Sequence, residues 1–102
     1  MKKQKNPLQL LKGSNNSGSI IKSWRENFGI KQEDMAYACN LSQANLSAIE
    51  NGKRELGPRV ALKISAFMGI SPEVILYPKG YESEPEFIEV KKRVVKLKDI
   101  SL

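Results

Sequence analysis

The chain carries few side chains that could make or break a covalent bond. It has no histidine and a single cysteine, Cys39. Neither a Ser-His-Asp nor a Cys-His arrangement can therefore be built, and no cluster has the spacing of zinc ligands. We predict no catalytic residue, no metal and no cofactor, and we expect that the protein is not an enzyme. The chemistry that remains is hydrogen bonding by neutral polar side chains.

Such side chains are concentrated in one short stretch, which we call the reading face. Its members are Ser42, Gln43, Ala44, Asn45 and Ser47. Exposed helices usually carry Lys and Glu, so an uncharged face favours contact with a closely fitted polar partner. Gln and Asn match the N6 and N7 edge of adenine, and Ala or a small hydroxyl can approach a thymine methyl group. The reading face is predicted to read bases in the major groove of double-stranded DNA; an ordinary polar helix surface is the alternative.

Cations flank the reading face on both sides. Lys53 and Arg54 follow it in a loop where Glu55 is the one neighbouring acid. On the other side, Lys31 stands where a helix usually begins with Ser, Thr, Asp or Asn, so the first amide groups lack a side-chain cap. Both features suit DNA phosphates, although paired cations in a loop are often simply solvated.

Two short helices are predicted to position these side chains. Met35, Ala36 and Cys39 lie three and four residues apart, as one face of a helix requires. Leu46 and Ile49 repeat that spacing after a break.

The break contains the residues that a tight turn needs. Asn40 tolerates a left-handed backbone and can end the first helix. The hydroxyl of Ser42 can cap the second helix, and Leu41 between them points into the core. Residues 32–54 are therefore predicted to form a helix-turn-helix.

Three more helices complete the predicted domain. The first covers Ile20 to Phe28 and places both Trp24 and Phe28 in the core; the fourth opens at Pro58, and the fifth at Pro72. The expected architecture is all-α, a compact five-helix bundle over residues 19–77. A chain of 102 residues is one domain's worth.

The segments on either side have different compositions. Residues 1–18 contain four lysines and no acid, and with a run of Gly, Ser and Asn they predict a disordered basic arm. Residues 78–102 are predicted to be a linker followed by a dimerisation or partner-binding segment. Its apolar residues, spaced three, four and three, are Phe87, Val90, Val94 and Leu97. This spacing indicates a helix, with a partly extended form left open. On a helix the four residues would form an apolar seam, and a second subunit or another protein is needed to cover it.

The overall charge and the lack of export signals bear on partners and location. A formal net charge of +6 indicates an anionic partner. Neither a signal peptide nor a long apolar run is present, so we expect a soluble, cytoplasmic protein without a membrane contact.

With these residues in view, the chain resembles the helix-turn-helix family of lambda repressor and Cro, also called the xenobiotic-response-element family. The residues that carry the resemblance are Gly29, Gln32, Glu33, Met35, Ala36, Leu41, Ser42, Leu46, Ile49, Glu50, Asn51, Gly52, Lys53, Ile70, Ser71 and Pro72. Two residues depart from the family pattern: Asn40 replaces the usual Gly of the turn, and Lys31 replaces the usual Ser or Thr cap.

The resemblance implies roles for individual residues. The helix that begins at Gln43 would enter the major groove, and Arg25 would form a partly buried ion pair with Glu50. The predicted phosphate contacts are Lys31, Gln32, Asn51, Lys53 and Arg54.

The resulting functional hypothesis is a sequence-specific transcriptional regulator, a repressor that binds a near-palindromic operator as a homodimer. Two alternatives remain open. One is an antitoxin that also regulates its own operon and holds a toxin with its arm or C-terminal segment. The other is a protein-interaction module that does not bind DNA.

Overall fold

The computed structural model describes residues 16–101, with side chains as far as Leu97. Within this range the chain forms helices and no strand. The elements are α1 (Ser17–Asn27), α2 (Gln32–Ala38), α3 (Gln43–Glu50), α4 (Pro58–Met68), α5 (Pro72–Leu76), a 3-10 turn (Tyr81–Ser83) and α6 (Pro85–Ser101). The predicted all-α class and five-helix domain are confirmed. Most of the predicted disordered arm, residues 1–15, lies outside the described residues.

Helix α1 begins earlier than the sequence pattern indicated. We predicted an arm up to residue 18, but Ser17 already belongs to α1. The Asn16 side chain caps this helix by accepting a hydrogen bond from the Ser19 amide at 2.8 Å. The Ser17 hydroxyl also donates to the carbonyl oxygen of Ile75 in α5. A polar run typical of a flexible arm is thus ordered by a cap and by a distant contact.

One apolar core joins the first five helices. Its buried members are Ile20, Ile21, Trp24, Met35, Ala36, Cys39, Leu46, Ile49, Ala61, Ile64, Met68 and Ile75. The Trp24 ring lies 4.8 Å from that of Phe28 and 5.9 Å from that of Phe67. The prediction that Phe28 is a core residue is wrong: it keeps 39% of its surface exposed, because its ring packs on Trp24 from the outer edge of the core. Helix α3 packs against both α1 and α2, and its orientation therefore depends on both.

The single cysteine belongs to this core. Cys39 is 4% exposed, and its thiol contacts the Lys63 carbonyl oxygen at 3.7 Å. Burial raises the pKa of the thiol above its ordinary value. A protonated thiol is therefore part of the packed structure.

The C-terminal segment is a helix. We had left a partly extended form open, and α6 excludes it for Pro85–Ser101. Helix α6 packs on the 3-10 turn, where the Tyr81 and Phe87 rings meet edge to face at 5.2 Å. Among residues 16–101, no helix has the length and apolar character that a membrane span requires.

Candidate nucleic-acid interface

The turn between α2 and α3 sets the reading face on the surface. Asn40 has φ 55°, the left-handed conformation that ends α2. Ser42 is extended, and its hydroxyl accepts a hydrogen bond from the Asn45 amide at 3.0 Å. Both features were predicted, and both are confirmed.

Helix α3 has a buried side and a displayed side. Leu46 and Ile49 are 0% and 2% exposed and face the core. The reading face lies on the other side, with Ser42, Gln43 and Ala44 exposed and Asn45 and Ser47 half-buried.

A chain of hydrogen bonds connects the reading face to a buried ion pair. Gln43 Nε2 donates to Gln32 Oε1 at 3.3 Å, and Gln32 Nε2 donates to Glu50 Oε1 at 3.0 Å. Arg25 completes the chain because its Nε donates to Glu50 Oε2 at 2.8 Å and its Nη2 to Glu50 Oε1 at 3.0 Å. Gln43 is therefore oriented by contacts that reach back to α1.

The ion pair at the root of this chain is shielded from solvent. The side chains of Arg25 and Glu50 are 11% and 1% exposed. Arg25 Nη1 also donates to the Ile30 carbonyl oxygen at 2.8 Å. The hydrogen bond to Glu50 raises the pKa of Arg25, and this outweighs the opposing effect of burial. The pair thus fastens α1 to the last turn of α3.

The predicted phosphate contacts differ in whether their side chains already bind other side chains of the protein. Arg54 reaches back over α3, where its Nη1 donates to Asn45 Oδ1 at 2.7 Å. Asn51 Nδ2 donates to the Ser47 hydroxyl at 3.3 Å. Lys53 is exposed, and no side chain of the described residues pairs with its ammonium group.

The remaining predicted contacts lie at the start of α2. Lys31 is exposed and gives no side-chain cap to the helix. Gln32 is half-buried, and its side-chain amide is hydrogen-bonded to Gln43 and Glu50. The family resemblance implied that Gln32 is a phosphate contact but did not reveal its link to Gln43.

Gly18 is a structural residue that sequence reasoning missed. An ideal Cβ at this position would lie 2.1 Å from the Ile49 carbonyl oxygen and 3.0 Å from that of Glu50. The first turn of α1 therefore rests directly on the end of α3. A glycine in a Gly, Ser and Asn run gave no sign of this contact, because the run is typical of a linker.

The predicted seam on α6 is a separate surface. Phe87 and Val94 are half-buried, while Val90 and Leu97 are 55% and 59% exposed. Across the described residues no group of acidic, His or Cys side chains could hold a metal ion.

Comparisons with known proteins identify the family of the helix-turn-helix. The chain is 38% identical over 66 residues to virulence-associated protein A' of Dichelobacter nodosus, an alignment that covers 64% of this chain and 57% of the relative. The chain thus spans less than two thirds of the length of that relative. No solved structure gave a significant match. The model of a helix-turn-helix family, the Cro and C1 type, matches residues 21–75. It is a family of DNA-binding domains without enzymatic activity, and the chain belongs to it.

Proposed function

We propose that this DNA-binding domain acts as a sequence-specific transcriptional regulator, a repressor that binds a near-palindromic operator in the cytoplasm as a homodimer. The observation that carries the proposal is the orientation of Gln43. One N–H of its amide is held by Gln32, and the other N–H and the carbonyl oxygen remain for a base. These two groups match N7 and N6 of adenine.

Sequence choice comes from the other members of the reading face. Ala44 is exposed beside Gln43 and has the size to approach a thymine methyl group. Asn45 and Arg54 form a joined pair at 2.7 Å, so the two side chains meet DNA as one unit. Their contact brings a cation to the edge of the reading face.

Affinity independent of sequence comes from the flanking cations. Lys53 is exposed beyond α3, and Lys31 is exposed at the start of α2. Both contribute charge toward the phosphate backbone, and their contribution falls as salt concentration rises. Asn51, at the end of α3, is the remaining phosphate contact that we assign.

A single reading helix covers a few base pairs. Two copies on symmetric half-sites about one helical turn apart together recognise more base pairs than one copy can. The seam of Phe87, Val90, Val94 and Leu97 on α6 is the contact that we assign to the second copy.

The test begins with selection of bound sequences from random double-stranded DNA. We expect enrichment of a palindromic site, whose symmetry and spacing reveal the arrangement of the two copies. Absence of any enriched sequence would refute sequence-specific binding and favour the protein-interaction module.

Substitutions then separate base reading from phosphate contact. Gln43→Ala is expected to cost about 1–3 kcal/mol on the selected site and to relax one base position. Lys53→Ala is expected to weaken selected and random DNA alike and to flatten the salt dependence. Lys79→Ala, which removes an exposed cation from the linker after α5, is the matched control and should change neither. Equal losses on selected and random DNA for Gln43→Ala would contradict base reading.

The exposed apolar side of α6 also favours a second candidate, an antitoxin that regulates its own operon. In that case α6 would hold a small toxin. Co-purification of the chain with the product of a neighbouring gene, at a fixed ratio and dependent on α6, would favour this version.

A further inference from the structure

An apolar groove lies where the 3-10 turn meets α6. Its volume is about 610 Å³. The residues that line it are Tyr77, Tyr81, Glu84, Glu86, Phe87, Val90 and Lys91. Aromatic side chains and Val90 make up most of this lining, and its charged members are Glu84, Glu86 and Lys91, so acidic groups outnumber cations. We call this the aromatic groove.

The segment that contains α6 carries opposite charge at its two ends. Residues 81–90 carry four carboxylates and no cation, whereas residues 91–98 carry five cations and no carboxylate. The basic half also displays apolar side chains, with Val95 and Leu97 57% and 59% exposed. The segment from the 3-10 turn through α6 thus has a mainly acidic apolar groove at one end and a basic, partly apolar helix at the other.

The basic half cannot reach the groove of its own chain. Pro85–Ser101 is one uninterrupted helix, so its second half extends away from the groove that its first half lines. In a dimer, the basic half of α6 in each copy can contact the aromatic groove of the other copy. We propose that two copies pair through α6 in antiparallel orientation, with the basic half of each helix lying in the aromatic groove of the other.

Antiparallel pairing follows from the charge pattern. Side by side in parallel, the acidic halves would face each other and the basic halves would do the same, and both contacts are repulsive. With the helices reversed and Phe87 of one copy opposite Val90 of the other, Glu86 lies beside Arg93 and Glu84 beside Lys91. Each of these pairs is seven residues apart in sequence, the repeat that places flanking charges along an apolar seam.

The cations are available for this role. Arg93 has an ion pair with Glu89 of its own helix at 3.7 Å, but the two side chains are 74% and 62% exposed, and such a pair is weak. Lys91 Nζ lies 5.8 Å from the centre of the Phe87 ring, and Lys91 is one of the residues that line the groove. Both cations can therefore turn toward a second copy with little loss.

This inference deepens the homodimer of the proposed function, and it is tested without DNA so that the two can fail separately. The full chain is examined by sedimentation equilibrium over a concentration series. The wild-type chain should dimerise. The double variants Glu84→Lys with Glu86→Lys, and Lys91→Glu with Arg93→Glu, should each raise the dimer Kd roughly ten- to hundredfold.

The combined charge exchange makes the test specific. The variant with all four substitutions should recover dimer affinity close to that of the wild type, because each acidic position again meets a basic one. Lys92→Glu, a charge reversal away from the seam, is the control and should leave the Kd unchanged. The proposal would be overturned by a monomeric wild-type chain, by double variants that dimerise as tightly as the wild type, or by a monomeric variant with all four substitutions.

Cross-linking reports the orientation directly. Under mild oxidation, the chain with both Glu86→Cys and Arg93→Cys should form a covalent dimer, and neither single variant should form one. Within one helix the two positions lie about 10 Å apart, too far for an internal disulfide. Covalent dimers of the single variants would show a parallel pair and would overturn the proposed orientation.

Discussion

Replacement of Gly18 by alanine tests how closely α1 must approach α3. The added methyl group would lie 2.1 Å from the Ile49 carbonyl oxygen, a separation that no Cβ tolerates. The obstacle is backbone at the end of α3, so no side chain can rotate away. Either α1 or the last turn of α3 must therefore move.

Two opposing terms determine how much Gly18→Ala changes the free energy of unfolding. Alanine is a better helix former than glycine and would by itself stabilise α1 by about 0.5–1 kcal/mol. Forcing extra volume into a packed contact costs about 1–3 kcal/mol. We expect a net loss of about 1–2 kcal/mol, which lowers Tm by roughly 5–15 °C for a domain of this size.

Gly57 provides a matched control. Its φ is −85°, and no atom lies within 4 Å of an ideal Cβ at this position. Gly57→Ala should therefore change the free energy of unfolding by less than about 0.5 kcal/mol. Urea unfolding followed by circular dichroism measures both variants. A Gly18→Ala variant as stable as the wild type, beside an unchanged Gly57→Ala, would refute the close approach of the two helices.

Two further predictions concern buried charge and a buried thiol. Arg25→Ala or Glu50→Ala should cost about 3–5 kcal/mol of stability, because each leaves its partner charged and shielded from water; a variant of normal stability but altered operator preference would contradict this structural role. The raised pKa of Cys39 predicts that stability is fully present below the ordinary thiol value of 9.0 and declines as pH rises above it toward the folded-state pKa. Urea unfolding between about pH 8 and 10 should thus show a smaller decline in Cys39→Ala than in the wild type, and equal slopes would count against a buried protonated thiol.

Local patterns in the sequence were sufficient for much of the fold. Apolar spacing identified all five helices of the domain, because one side of each is buried in a common core. The turn residue Asn40 and the cap Ser42 were recognisable because their roles depend on their own backbone and on the next few residues. The helical form of α6 was less certain, since its β-branched residues also suit a strand.

Contacts between distant parts of the chain were not predictable in this way. The ordered start of α1 depends on Ile75, and the need for glycine at position 18 depends on Ile49. The pairing of Arg54 with Asn45 spans nine residues across the end of α3, so the charge pattern indicated only a loop with two cations. These features arise from tertiary packing that no local pattern records.

The bond between Gln32 and Glu50 has a consequence for how such a protein can change its target. Gln32 is hydrogen-bonded to the Arg25–Glu50 ion pair through Glu50, whereas the Gln43 side chain is hydrogen-bonded to Gln32. In the proposed function, a new side chain at position 43 alters the preferred operator and leaves the buried pair intact. A change at position 32 disturbs both. Under the proposed function, substitutions at position 43 are therefore expected to change DNA sequence preference at little cost in stability, while substitutions at position 32 are restrained by the stability of the protein itself.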